Sequence, residues 1–158
     1  MAKSRTPVPE GCHTVQAYLI VPNAVEAIAF YKKAFGAEEG LRMPGPDGRS
    51  TVHAEIRIGD STIYLGDENP HCGMRSARAI GGSPVTLHLY VADADALFKR
   101  AVAAGAQVKQ PLEDMFWGDR YGKVIDPFGL EWGIATNKEV LSAAELAQRS
   151  KEYFAKMA

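Results

Sequence analysis

The sequence predicts an α+β protein in which one strand–helix–strand–strand–strand unit occurs twice, with a further helix at the C-terminus. Three observations lead there. Apolar and polar residues alternate over several short runs, the period of a half-buried strand. Each half of the chain holds one run at helical spacing that ends at a glycine. The order of these runs in the first half returns in the second: residues 27–34 match 94–101 in pattern, and Gly36-Ala37 matches Gly105-Ala106.

The elements follow in order. Residues 1–12 contain Pro7, Pro9 and Gly11 without periodicity and are expected to form an arm. From His13 to Val21, Val15, Ala17, Leu19 and Val21 alternate with Gln16, Tyr18 and Ile20, which predicts the first strand. Pro22-Asn23 breaks it, and Asn23 suits the N-cap of a helix over 24–35 that Gly36 ends. A strand over 37–44 leads into the turn Pro44-Gly45-Pro46-Asp47-Gly48. Thr51 to Ile58 alternates again and returns through Gly59-Asp60 as a strand from Ser61 to Leu65. Residues 67–83 lack a period and are expected to be a linker or a lid loop. The second unit runs through a strand over 85–91, a helix over 93–104, strands near 107–111 and 119–125, the turn Asp126-Pro127-Phe128-Gly129 and a strand over 130–135. Trp132 shares the parity of Leu130 and Ile134, which places it in the core. Ser142-Ala143-Ala144-Glu145 has the spacing of a capping box opening a helix over 143–156. The expected organisation is therefore an arm (1–12), a first module (13–66), a linker (67–83), a second module (84–136) and a C-terminal helical segment (137–158).

Composition narrows the function classes. The 158 residues carry 18 Lys+Arg against 19 Asp+Glu, a net charge of -1. Near-neutrality removes the electrostatic drive for general nucleic-acid or anionic-membrane binding. No apolar run approaches the ~20 residues of a membrane helix. The basic start lacks the apolar stretch of a secretion signal, so a cytoplasmic location is expected. Cys12 and Cys72 have no CxxC spacing and build no disulfide scaffold. His71 and Cys72 put a thiol beside an imidazole, but nothing supplies a second base or an oxyanion hole, so an ordinary loop cysteine is the reading.

The polar strand positions hold the candidate chemistry: Gln16, Tyr18, His53, Glu55, Arg57, Thr62, Tyr64, Thr86, His88, Tyr90 and Glu131. Two arrangements are open. These side chains can face bulk water, as antiparallel sheets allow. Alternatively each sheet curls and the tyrosines, histidines and glutamine become walls of a small-molecule site. Trp117, Arg120 and Tyr121 adjoin the penultimate strand. Arg120 suits a carboxylate or phosphate and Trp117 a planar ligand; the alternative is an Asp119–Arg120 turn ion pair with Trp117 packed at a subunit seam. No GxGxxG precedes a helix, so the glycines mark turns.

The paired units, Phe30-Tyr31-Lys32-Lys33-Ala34-Phe35-Gly36 and the closing Asp126-Pro127-Phe128-Gly129-Leu130-Glu131-Trp132 together resemble the vicinal-oxygen-chelate superfamily of glyoxalase I, bleomycin-resistance proteins and extradiol dioxygenases. Phe116-Trp117-Gly118-Asp119-Arg120-Tyr121-Gly122 and His53-Ala54-Glu55 look like its PhnB-like branch. The resemblance covers about residues 14–136 and implies two βαβββ modules whose curled mixed sheets surround a cup, commonly in a homodimer. Its metal-ligand positions, carried over one by one, fall on Gln16, near Tyr64, on Thr86 and on Gly133. Only Gln16 suits a metal, whereas a divalent site needs three or four N, O or S donors.

The reading that results is a glyoxalase/bleomycin-resistance-like protein that binds a small aromatic molecule in a strand-lined cup without the usual metal, as drug-sequestering members of the superfamily do. Gln16, Tyr18, His53, Tyr64, Thr86, His88, Trp117, Arg120 and Tyr121 are the expected ligand contacts, and a homodimer is the expected assembly. Two alternatives stand beside it. One is a metal-dependent lyase, isomerase or dioxygenase that uses a shifted His53/His88/Glu131 cluster for Zn or Fe. The other is a dimeric scaffold without a ligand.

Overall fold

The computed structural model describes residues 6–157; the first five residues of the predicted arm and Ala158 lie outside them. The chain divides into two units, residues 1–82 and 83–158, and all of the linker but Ser83 goes with the first. Each unit is one four-stranded mixed sheet with a helix on one face.

In the first unit, β1 (Tyr18–Val21) leads into α1 (Ala24–Phe35), β2 (Glu38–Pro44), β3 (Thr51–Ile58) and β4 (Ser61–Asp67). The sheet order is β1-β4-β3-β2. The helical crossover carries the chain from β1 to the far edge, so β1 pairs with β4 in parallel and the remaining pairs are antiparallel. Asn23 caps α1 by accepting the Glu26 amide, and Gly36 closes it in the left-handed region at φ 71°. The predicted parity holds across the core: Leu19, Val21, Ala54, Ile56, Ile58, Ile63 and Leu65 lie buried with Tyr31, Phe30 and Phe35 of α1.

The second unit repeats this plan. β5 (Thr86–Tyr90), α3 (Ala94–Ala104), β6 (Gln107–Asp114), β7 (Asp119–Ile125) and β8 (Glu131–Asn137) form a sheet of order β5-β8-β7-β6. Asp93 caps α3 through the Ala96 amide. Gly122 has no Cβ where one would lie 2.9 Å from the Phe98 ring, which lets α3 pack onto β7. Trp132, Ile134 and Val124 are fully buried on this helix side, as parity predicted. α4 (Ala143–Ala155) opens with the predicted capping box of Ser142 and Glu145.

The largest departures from the expected boundaries fall in four places, each for a local reason. The first strand starts at Tyr18, not His13, and Val15 is 87% exposed. Ahead of Tyr18, the Gln16 side-chain amide donates to the Thr62 carbonyl, replacing a backbone ladder bond by a side-chain one. The fifth strand starts at Thr86 because the Ser83 hydroxyl engages both the amide and the carbonyl of Val85. The aperiodic segment 67–83 is built: a 3-10 turn (Pro70–Cys72) and a short helix, α2 (Ala77–Ile80), capped by Ser76, are each too brief to show a period. β6 extends past the predicted end to Asp114 through two register shifts, between Val108 and Gln110 and between Gln110 and Glu113, which accommodate Pro111. No helix among the described residues is long and apolar enough to cross a membrane.

Candidate aromatic faces on the two sheets

Strand parity puts the helix on one side of each sheet and the polar residues on the other. In the first unit, parallel pairing sets Tyr18 directly beside Tyr64. Their ring centroids are 6.1 Å apart, and the His53 ring lies 4.8 Å from Tyr64 and 5.7 Å from Tyr18. The Tyr18 hydroxyl donates to the Val52 carbonyl at 3.0 Å. His53 Nε2 lies 3.4 Å from the Glu55 carboxylate. The arm crosses this face: the Thr62 hydroxyl donates to the Gly11 carbonyl at 2.8 Å, and the Cys12 thiol is 3.0 Å from the Tyr64 hydroxyl.

That contact has a titration consequence. The bond to Cys12, then burial, then the nearby Cys12 and Glu55 charges push the Tyr64 phenol up from 10.0 to about 12. A folded-state value above the unfolded one gives stability that is complete below pH 10 and is lost as the pH rises towards 12. We expect an absorbance titration of the tyrosines to lose its highest-pH step in Tyr64→Phe. A step that persists in the variant would assign the high value to another tyrosine.

In the second unit, His88 stacks on Tyr121 with ring centroids 5.4 Å apart and planes 8° from parallel. Tyr90 lies 4.6 Å from His88 and Trp117 lies 5.6 Å from Tyr121. Met115, Tyr121 and Ala135 form a small apolar cluster against which Trp117 packs. Beneath the rings, Asp119 is only 5% exposed and accepts from three neutral donors: the Tyr90 hydroxyl (3.0 Å), Trp117 Nε1 (3.1 Å) and Asn137 Nδ2 (2.8 Å). Burial holds the His88 imidazole below its ordinary value, with Asp119 opposing and Lys123 reinforcing the shift. Burial likewise raises the Tyr121 phenol, with Glu131 adding to it.

The structure sorts the sequence candidates. It groups Tyr18, His53 and Tyr64 on the first sheet, with Gln16 beside them on Thr62. It groups His88, Tyr121 and Trp117 on the second. Thr86 lies on the same face as His88 and donates to Glu131 at 3.4 Å. Arg120 falls elsewhere. Adjacent strand residues point to opposite faces, so Arg120 turns towards α3 while Tyr121 does not. Its guanidinium forks onto Asp95 with two bonds of 2.8 Å and reaches Asp114 at 3.4 Å, in place of the expected pairing with Asp119. Sequence reasoning missed Asp119 and Asn137 as polar members of this face; the parity that Asp119 shares with Tyr121 on β7 is the signal that marks it.

The side chains at the carried-over metal positions have partners within the protein. The Gln16 amide is committed to Thr62, Tyr64 to Cys12 and Thr86 to Glu131. Gly133 supplies no donor, and a Cβ there would meet the Tyr121 ring at 2.9 Å and His88 Nδ1 at 3.1 Å, so two rings fill the space of the fourth ligand. Glu131 is held by Lys109 and lies 3.9 Å from Lys123, and its carboxyl is lowered first by the Lys109 bond. Among the described residues no three His, Cys, Asp or Glu side chains group as a metal-holding set.

Two βαβββ units with aromatic polar faces define a class, and the sequence comparison agrees with it. Residues 13–134 match the model of the Glyoxalase/Bleomycin resistance protein/Dioxygenase superfamily, and the chain belongs to that superfamily. An uncharacterized protein of Mycobacterium bovis is 48% identical over 139 residues, covering 83% of this chain and 91% of its own. The crystal structure of an Arabidopsis thaliana gene product has 29% identity and a TM-score of 0.63, covering 80% of this chain and 98% of its own. The PhnB protein of Bacillus cereus shares the fold at 16% identity and a TM-score of 0.61, covering 78% of this chain and 99% of its own.

Proposed function

We propose that the chain binds a small planar aromatic molecule on the ring-lined polar faces of its sheets, using stacking and directed hydrogen bonds in place of metal coordination. One observation carries this reading. At the position where the superfamily places a metal ligand, Gly133 instead makes room for the stacked His88 and Tyr121 rings. Offset aromatic contacts are worth ~1 kcal/mol each beyond the area they bury, and the neighbouring hydroxyls and imidazoles give a ligand orientation. Superfamily membership supports a homodimer as the working assembly, which light scattering reads as twice the chain mass.

The test is a thermal-shift screen with aromatic compounds in chelator-treated buffer, since a ligand bound to the native state raises its melting temperature by mass action. Tyr121→Ala is expected to weaken a hit about tenfold or more, the loss of ~1.4 kcal/mol. The pH dependence follows from His88. Its folded-state value lies below 6.5, so the neutral ring and the stability it supports persist above that pH. Both decline as acid protonates it, and the shift should shrink below pH 6.5 in the native chain but not in His88→Gln. Hits that need an added divalent metal, or that ignore Tyr121→Ala and Tyr64→Ala alike, would refute the reading.

A further inference from the structure

A recess lies in the 83–158 unit, meeting the ring-lined sheet face at Asp119. A cavity of about 570 Å³ opens between α4 and the turn joining β6 to β7, within the volume range of small-molecule sites. Phe116 of the turn and Tyr153 of α4 form its aromatic wall, with ring centroids 4.9 Å apart. Asp119 lines it from below.

The charges at this cavity are not equivalent. Arg149 is paired with Glu139, and Asp114 is taken by Arg120. Glu152 accepts from the neutral Gln148 amide at 2.7 Å. Lys138 and Lys156 stand exposed at the rim, where water and salt screen them. Asp119 is the buried charge, and its three partners are neutral. A carboxylate has about four acceptor sites. Three of these are filled, two on Oδ2 and one on Oδ1, which leaves capacity for one more donor. A cation placed there gains more than an anion placed at the screened lysines, because attraction strengthens as the surroundings dry.

The wall itself is loosely held. None of the α4 residues is buried. The helix is fixed to its unit by ring contacts of Phe116 with Tyr153 and Phe154 and by the Arg149–Glu139 pair. An occupant touching Tyr153 would therefore tie α4 down.

From this geometry we infer that the cavity under α4 takes an aromatic compound bearing a protonated amine, with the ammonium on Asp119 and the ring against Phe116 and Tyr153. The inference rests on the sheet-face reading only through Asp119, which borders both surfaces.

Calorimetry on the full chain with tryptamine, indole and indole-3-acetate tests it. Tryptamine should bind at least tenfold tighter than the other two. Asp119→Asn and Tyr153→Ala should each weaken it about tenfold, and its binding should slow amide hydrogen exchange in α4. Tyr153→Ala changes a partly exposed helix residue, so the test survives if Asp119→Asn fails to fold. Indole-3-acetate binding as tightly as tryptamine, or no binding of tryptamine, overturns the inference. Tryptamine binding that ignores Tyr153→Ala but is lost in Tyr121→Ala overturns it too, while leaving the sheet-face reading intact.

Discussion

Trp132→Ala is expected to destabilise the second unit by about 4 kcal/mol, within the range for deleting a buried aromatic. Trp132 is fully buried on the helix side of β8, between Leu87 of β5 and Val124 of β7 in register. Its indole nitrogen donates to Asp126 Oδ2 at 2.9 Å. Truncation removes both the packing and the donor, and the flanking strands are tied by their ladders and cannot close the gap. Small domains have net stabilities of ~5–15 kcal/mol, so the urea midpoint should fall far. Trp132→Phe should recover part of the loss, because it restores ring volume without the N–H. A loss below about 2 kcal/mol would show that α3 settles into the space.

Asp126→Ala is expected to cost about 3 kcal/mol, the sum of several modest hydrogen-bond terms. The Asp126 carboxylate accepts the Phe128 amide at 2.8 Å, the Leu130 amide at 2.9 Å and the Trp132 indole N–H. It thus folds the turn and anchors the core tryptophan at once. Alanine leaves these donors without their acceptor in a site where Asp126 itself is 4% exposed. Asp126→Asn, which keeps one acceptor oxygen, should lose less. The two substitutions share a bond, so the double variant should fall short of the sum of the singles. Additive losses in urea denaturation would mean that the indole–carboxylate bond contributes nothing. The Asp126-to-Trp132 stretch that carries the family resemblance is therefore a structural lock, and it says little about chemistry.

Most of the fold was legible because its signals are local. Asn23 and Ser142 can be recognised as caps from a few neighbouring residues, and each caps its helix in the structure, whereas Asp93, read as the first residue of its helix, is that helix's cap. The alternation of β3, β7 and β8 separates core from polar face without knowledge of any partner strand. The separation of Arg120 from Tyr121 was not read from the sequence, which grouped both as ligand contacts, although adjacent residues on one strand cannot share a face. The starts of β1 and β5 were not legible, because the Gln16 and Ser83 side chains take backbone partners that alternation does not reveal.

By itself, then, the sequence determined the duplicated βαβββ plan, the limits of the three long helices to within a residue and the parity of the buried strand positions, because periods of two and 3.6 residues are properties of the chain's own backbone. Tertiary structure alone decided what the polar residues do. The donors of Asp119 come from Tyr90, Trp117 and Asn137, and those of Glu131 from Thr86 and Lys109. Gly133 matters through the rings that occupy its missing side chain's place. Such partnerships join positions far apart in the chain, 45 residues for Thr86 and Glu131 and 52 for Cys12 and Tyr64. A polar side chain takes whichever partner the packed strands bring within about 3 Å, and that distance is set only when the sheet closes its register.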